Sequence, residues 1–193
     1  MNVAIILAAG ESRRMGAPKQ LLPFAGKTML QCVIDAFRIP EVNETIVVLG
    51  YKADEIAPTL RGVRTALNRD YTRGMFSSVQ AGLQAVHSNA KLVLVALSDQ
   101  PKIQPATVRE LVKMFQRERH KILVPSVNGR QGHPLLLAAR YIPEILAMDE
   151  SLTLKHFLAN HPGALARHIV SDEGVLVDID DRAGYERELR RNA

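Results

Sequence analysis

Apolar and polar positions along this chain follow two rhythms. Short runs dominated by Val, Ile, Leu and Ala occupy residues 3–8, 45–49, 64–67, 92–97, 121–124, 134–137, 166–170 and 176–179, and each predicts a β-strand. Between several of them, apolar residues recur at i, i+3, i+4 and i+7. Leu30, Val33, Ile34 and Phe37 form one such set, and Val108, Leu111, Val112 and Phe115 form another. That spacing predicts helices with one buried face. Strands that read as continuous apolar runs are covered on both sides. The pattern therefore predicts a mostly parallel twisted sheet between helical layers, a three-layer α/β/α sandwich. No repeat, low-complexity tract or linker interrupts it, and residues 1–193 read as one domain.

In open sheets of this kind ligands sit outside the carboxyl ends of the strands. Three polar features fall there: the loop from Gly10 to Lys19, the stretch Ser98-Asp99-Gln100-Pro101, and Asp178-Ile179-Asp180-Asp181. The loop follows the first apolar run directly and carries Arg13, Arg14 and Lys19 within seven residues. Exposed backbone amides and fixed positive charge bind a polyphosphate together, and small residues at Ala8, Ala9 and Gly10 permit close approach. A plain basic surface turn would also fit these residues. A Walker loop does not, because Leu21 stands where the first glycine before Gly26-Lys27-Thr28 is required. The Gly-x-Gly-x-x-Gly fingerprint of dinucleotide sites is likewise missing after the first strand.

Asp99 reads either as a turn aspartate ahead of Pro101 or as a carboxylate holding Mg²⁺ at the sheet rim. Asp178 and Asp180 are two apart, hence on one face if the strand at 176–179 persists, and either could supply a second metal ligand. The histidines carry less. His156 and His161 are too loosely spaced to share a helix face as ligands, and His87, His120 and His168 read as helix-end or surface residues. Only His133, in the exposed turn Asn128-Gly129-Arg130-Gln131-Gly132-His133, reads as a substrate contact. No Ser/His/Asp or Cys/His arrangement stands out.

Composition narrows the classes further. One cysteine, Cys32, excludes an internal disulfide and a cysteine-rich metal site. No apolar run reaches the ~20 residues of a membrane span, and the N-terminus lacks a basic leader, so a cytoplasmic protein is expected. The net charge of +5 is dispersed, and its densest cluster, Arg182 to Arg191, is interleaved with Glu186 and Glu188 as on a solvated helix face. With no Trp and few aromatics to stack bases, nucleic acid is not the expected partner. An anionic small molecule accounts for the excess as well.

The stretch Leu7-Ala8-Ala9-Gly10-x-Ser12-x-Arg14-Met15-Gly16-x-x-Lys19-Gln20-Leu21-Leu22-Pro23 resembles the signature of nucleotidyltransferases with a glycosyltransferase-A-like fold. Gly74-Met75-x-Ser77-Ser78-Val79-x-x-Gly82-Leu83, Ser98-Asp99-Gln100-Pro101, Gly129-Arg130-Gln131-Gly132-His133-Pro134 and Asp178-Ile179-Asp180 extend the match in order along the chain. Among these enzymes the chain resembles the molybdenum cofactor cytidylyltransferases most. The resemblance implies that Leu7, Ala8, Ala9, Gly10, Arg14 and Lys19 hold a nucleotide, CTP by the Leu-Ala-Ala-Gly form, and that Ser78 contacts the nucleoside. It implies that Asp99 and Asp180 chelate Mg²⁺, that Gln131 and His133 face a phosphorylated pterin, and that a molybdoenzyme receives the product. Arg14, Lys19 and Asp99 would then carry the catalysis. The family's Gly-Asp-x-Gly-Ala-Arg segment is replaced here by residues 148–155, which keep Asp149 but end on Leu154-Lys155. Acceptor identity is where that departure bears.

Overall fold

The computed structural model describes residues 1–119, 121–149 and 151–191. His120, read above as a helix-end residue, and Glu150 lie outside the described residues, as do the last two. In chain order the elements are β1 (Asn2–Ala8), the hairpin β2 (Pro23–Phe24) and β3 (Lys27–Thr28), α1 (Met29–Ala36), β4 (Glu44–Leu49), α2 (Ala53–Ile56), β5 (Arg64–Leu67) and α3 (Met75–Gln84). They continue with β6 (Leu92–Leu97), α4 (Pro105–Arg117), β7 (Ile122–Val127), β8 (Arg130–Gln131), β9 (Leu135–Ala138), α5 (Ile142–Ala147), α6 (Leu154–Asn160), β10 (Leu165–Ile169) and α7 (Arg182–Arg191).

The main sheet runs β10-β7-β9-β6-β1-β4-β5, with β8 attached to β7. Pairings around β1, β4, β5 and β6 are parallel, as is β10 with β7, whereas β9 runs antiparallel to both its neighbours. The sheet is thus mostly parallel and sandwiched by helices. Period-two alternation along the central strands divides the core in two. Ala4, Ile6, Ala8, Val47 and Leu94 face Leu30, Ile34, Val108 and Leu111 of α1 and α4. Ile5, Leu7, Val48, Val93 and Val95 face Phe76, Val79 and Leu83 of α3, with Ile145 and Phe157 beyond. Gly82 sits where α3 crosses β1: a Cβ there would lie 2.5 Å from Ile5.

The site is positioned by register. Leu7 of β1 pairs with Val48 on one side and Leu97 on the other, while Leu49 pairs with Leu67. The carboxyl ends of four strands therefore finish level, and Gly10, Gly50, Asn68 and Asp99 emerge along one rim.

Two expectations change. The run at 176–179 is not a strand: a 3-10 turn covers Glu173–Leu176, and the chain then continues without sheet pairing. Its alternation of apolar and acidic residues imitates a strand. Yet its hydrogen bonds go to a loop and not to a ladder: Ile179 N–H donates to Asp99 O at 2.9 Å, and Val175 O accepts from His133 N at 3.1 Å. His133 is also not on an exposed turn; it is half-buried ahead of a cis peptide bond to Pro134.

Candidate active site

The loop after β1 is shaped by its own short-range bonds. Ser12 takes a left-handed conformation with φ 56°, and its carbonyl accepts from Met15 N at 2.8 Å. Its hydroxyl accepts from Lys19 N at 3.2 Å, which closes the loop. Gln20, only 1% exposed, donates through Nε2 to Ala8 O at 2.9 Å and to Gly10 O at 3.2 Å. A buried amide with two carbonyls to satisfy fixes the path of the backbone. Beneath it Gly50 packs so tightly that a Cβ would lie 2.8 Å from that of Ala9. A Cβ on Gly10, by contrast, would meet nothing within 4 Å and would project into the cleft.

Lys19 reaches across this cleft. Its ammonium lies 2.7 Å from Asp99 Oδ2 and 2.9 Å from Asp180 Oδ1, and Arg14 Nη2 approaches the other Asp180 oxygen at 3.3 Å. Burial works against the Lys19 charge. Attraction to Asp99 and Asp180 and hydrogen bonds with both outweigh it, so the group holds its proton above the usual lysine range. Asp180 is held below the usual carboxylate range, first by the Lys19 hydrogen bond. The side chain of Lys19 is 13% exposed and that of Arg14 68%, so one cation is enclosed in the cleft and the other pairs with Asp180 from solvent.

Asp180 arrives on an arm, residues 172–181, latched to the loop after β6. Gln100 Nε2 donates to Val175 O at 3.3 Å and to Asp178 Oδ1 at 2.6 Å. Asp172 Oδ2 accepts from Gln104 N at 2.9 Å and from Thr107 Oγ1 at 2.8 Å, tying the arm to the start of α4. Two glycines make the fit possible. A Cβ on Gly132 would lie 2.3 Å from Val175 O, and one on Gly174 would lie 2.4 Å from Lys102 O. Ile179 is fully buried in a small cluster with Met15, Phe24, Met29 and Tyr185.

Half of the residues predicted from sequence meet in one cavity of about 220 Å³, lined by Leu7, Ala9, Gly10, Lys19, Ser78 and Asp99 among others. Ala8 stays in the wall, 1% exposed. Asp178 and Asp180 do not act as a pair: Asp178 turns to Gln100, and Asp180 alone joins Asp99 on the Lys19 ammonium. Asp178 is held above the usual carboxylate range, mainly by burial, with nearby Asp99 and Asp180 adding to it. His133 is pushed below the ordinary imidazole value by burial, against the pull of Asp178 and Asp99. Gln131 lies further out on β8, its side-chain carbonyl turned to accept from Arg167 Nε at 2.6 Å. Sequence reasoning gives no role to Gln20, Gln100 or Asn68. All three are buried amides; Gln20 and Gln100 stand inside the Lys19-Gln20-Leu21 and Asp99-Gln100-Pro101 stretches, and that placement is the available signal for those two.

The donor set suits a hard divalent cation. Asp99 Oδ1 is buried without a hydrogen-bond partner among the described residues, and Asp99 and Asp180 already share one positive group. Among the described residues no group of three or more His, Cys, Asp or Glu side chains is disposed to hold a metal. Two carboxylates are enough when phosphate oxygens and water complete the shell, as they do for Mg²⁺.

Comparison with known proteins bears on the family and the fold. The chain is 30% identical over 185 residues to nicotine blue oxidoreductase of Paenarthrobacter nicotinovorans, covering 91% of this chain and 90% of that protein. Rv0371c of Mycobacterium tuberculosis H37Rv superposes with a TM-score of 0.85 at 27% identity, covering 98% and 97% of the two chains. Its manganese complex gives 0.80 at 25%, with 98% of each chain covered. A nucleotidyl transferase of Methanothermobacter thermautotroptrophicus superposes at 0.83 with 25% identity, covering 100% and 97%. A family profile described as the MobA-like NTP transferase domain matches residues 4–166, and with the cleft built as above the chain belongs to that family of nucleotidyltransferases.

Proposed function

We propose that the chain transfers a cytidylyl group from CTP to the phosphate of a molybdopterin, releasing pyrophosphate. One observation carries the reading: the Gly10 loop, Lys19 and Asp99 line a single cavity, and Asp180 is drawn to the same ammonium. An acceptor phosphate oxygen forms a bond to the α-phosphorus in line, and the bond from that phosphorus to the β-bridging oxygen breaks. A phosphate dianion is nucleophilic at neutral pH, so no general base is required, in keeping with the missing triad. The chain's work is position and charge. The open Gly10 backbone admits the triphosphate, and Arg14 and Lys19 meet the charge that grows on departing pyrophosphate. Asp99 and Asp180 would hold Mg²⁺, which when bound supplies positive charge to the phosphate oxygens. Gln131 and His133 would meet the pterin. The product would pass to a molybdoenzyme.

The choice of CTP and pterin rests on the Leu-Ala-Ala-Gly, Asp-Gln-Pro and Gly-His-Pro signatures. Where the signature departs, Lys155 is exposed and could substitute for the family arginine, while Gln80 Nε2 holds the segment through Ile145 O and Met148 O. A panel of nucleoside triphosphates followed by ³¹P spectroscopy, with and without molybdopterin and Mg²⁺, tests the reading. Pyrophosphate is expected only with CTP plus the pterin; its release with a sugar phosphate instead would reassign the acceptor.

A second reading is favoured by the relative from P. nicotinovorans, whose name describes an oxidoreductase. On that reading the same cleft would seat a reduced dinucleotide. Titration with NADH and NADPH separates the two, since a transferase shows no saturable binding of either.

A further inference from the structure

The cavity has two chemically different ends. Lys19 and Asp99 stand at one, whereas Tyr71, Gly74, Met75 and Ser78 line the other without a formal charge. On the nucleotidyl-transfer reading the phosphates take the charged end, and the base takes the end at Ser78. What Ser78 offers that base is decided by Asn68, a residue 4% exposed just after β5.

The hydrogen-bond accounting there is closed. Asp70 N–H donates to Asn68 Oδ1 at 2.9 Å. Turning the amide over would set two donors against each other, so its orientation is fixed. Its Nδ2 group then points both protons at serines, reaching Ser77 Oγ and Ser78 Oγ at 2.9 Å each. Ser77 sends its own proton to backbone carbonyls, at 2.8 Å to Gly74 O and 3.0 Å to Asp70 O. Ser78 accepts from Asn68 and has no carbonyl of its own to donate to among the described residues. A hydroxyl carries one proton. With a lone pair taken by Asn68, that proton is left for the cavity.

We infer that Asn68 is a positioning residue that makes Ser78 a hydrogen-bond donor, so that the site selects a base with an unprotonated ring nitrogen at this point. Cytosine presents N3 as an acceptor there; uracil presents an N–H, which Ser78 can accept on its second lone pair only by turning its proton away from the base, where no carbonyl among the described residues receives it. The inference rests on the nucleotidyl-transfer reading and assigns that site a discriminating element.

Isosteric inversion tests it. In Asn68→Asp the new carboxylate keeps the bond from Asp70 N–H but can only accept from the serines. Ser78 must then give its proton to that carboxylate and turn its lone pairs to the cavity. Calorimetric titration with CTP, UTP and inorganic tripolyphosphate, each with Mg²⁺ at about pH 8, reads the result. Wild type is expected to prefer CTP over UTP by about tenfold or more, the scale of one hydrogen bond satisfied against one left unmade. Asn68→Asp is expected to erase or reverse that ratio while tripolyphosphate binding stays unchanged. Ser78→Ala is expected to erase it too, and it decides the matter alone if Asn68→Asp fails to fold. A folded Asn68→Asp that keeps the wild-type ratio, or weakens both nucleotides alike, overturns the inference, as does Ser78→Ala with the preference intact. Wild type that binds tripolyphosphate and both nucleotides equally overturns it while sparing the transferase reading. Wild type that binds none of the three removes both.

Discussion

The loop at residues 10–19 and the arm at residues 172–181 meet at the Lys19–Asp180 ion pair, yet they are held by different means. The loop closes on itself: Ser12 ties Lys19, and Gln20 ties Ala8 and Gly10, all within about a dozen residues. The arm's internal bonds are confined to one turn, where Gly174 N and Val175 N donate to Asp172 and Val177 N donates to Gly174 O, and the rest of its course is set by distant partners, Gln100, Gln104, Thr107 and His133. One half of the site is therefore encoded locally and the other by tertiary contact. A local turn can be transplanted or read from its motif, whereas an arm of this kind exists only when the surface beneath it is complete.

The comparison can be broken at its shared point. Asp99→Ala removes the carboxylate both sides converge on and should lower kcat by roughly two to three orders of magnitude, the scale of one lost electrostatic stabiliser. Pyrophosphate release measures it, and near-normal turnover would dismiss the metal assignment. Glycine substitutions then separate the two halves. Gly174→Ala drives a Cβ to 2.4 Å from Lys102 O, so urea unfolding should register a loss on the order of 1–3 kcal/mol. Gly10→Ala meets open space, so stability should stay within about 0.5 kcal/mol while CTP affinity falls. Equal stability losses at both positions would erase the distinction between loop and arm.

Asp172→Ala sharpens the arm's side of it. Three bonds to one carboxylate are lost, from Gln104 N, Thr107 Oγ1 and Gly174 N, and about 1–3 kcal/mol of stability should go with them. The smallest effect is on pH. Burial holds the His133 imidazole below its unfolded value, so between the two values the unfolded chain binds more protons. The stability from a neutral His133 is thus complete above about pH 6.5 and is lost as pH falls towards the folded value. His133→Gln should flatten that limb of the denaturation midpoint between about pH 5 and 7. An unchanged slope would mean that the imidazole is solvated.

The same division explains what can be read from sequence. Strand runs such as Val3 to Ala8 and the helix set Val108, Leu111, Val112 and Phe115 state their burial through period alone, and the structure places them as read. The Gly10 loop is legible because its small and cationic residues are contiguous. The arm reads as a strand because Val175, Val177 and Ile179 alternate with Leu176, Asp178 and Asp180, and periodicity cannot tell which backbone partner a segment will find. Gln100 decides that, from a position far away in sequence. Asp178 and Asp180 part company for the same reason: without a pleat, two residues apart no longer means one face. Asn68 is silent because a single asparagine after a strand also reads as a turn residue.

Asp172 fastens the beginning of α4 with one oxygen and the turn at Gly174 with the other. Detaching the arm therefore frees the first turn of a helix that packs under the sheet. Amides at the start of α4 and along residues 174–179 should exchange with deuterium as one cooperative unit, and the acidic half of the cleft can open only by partial unfolding.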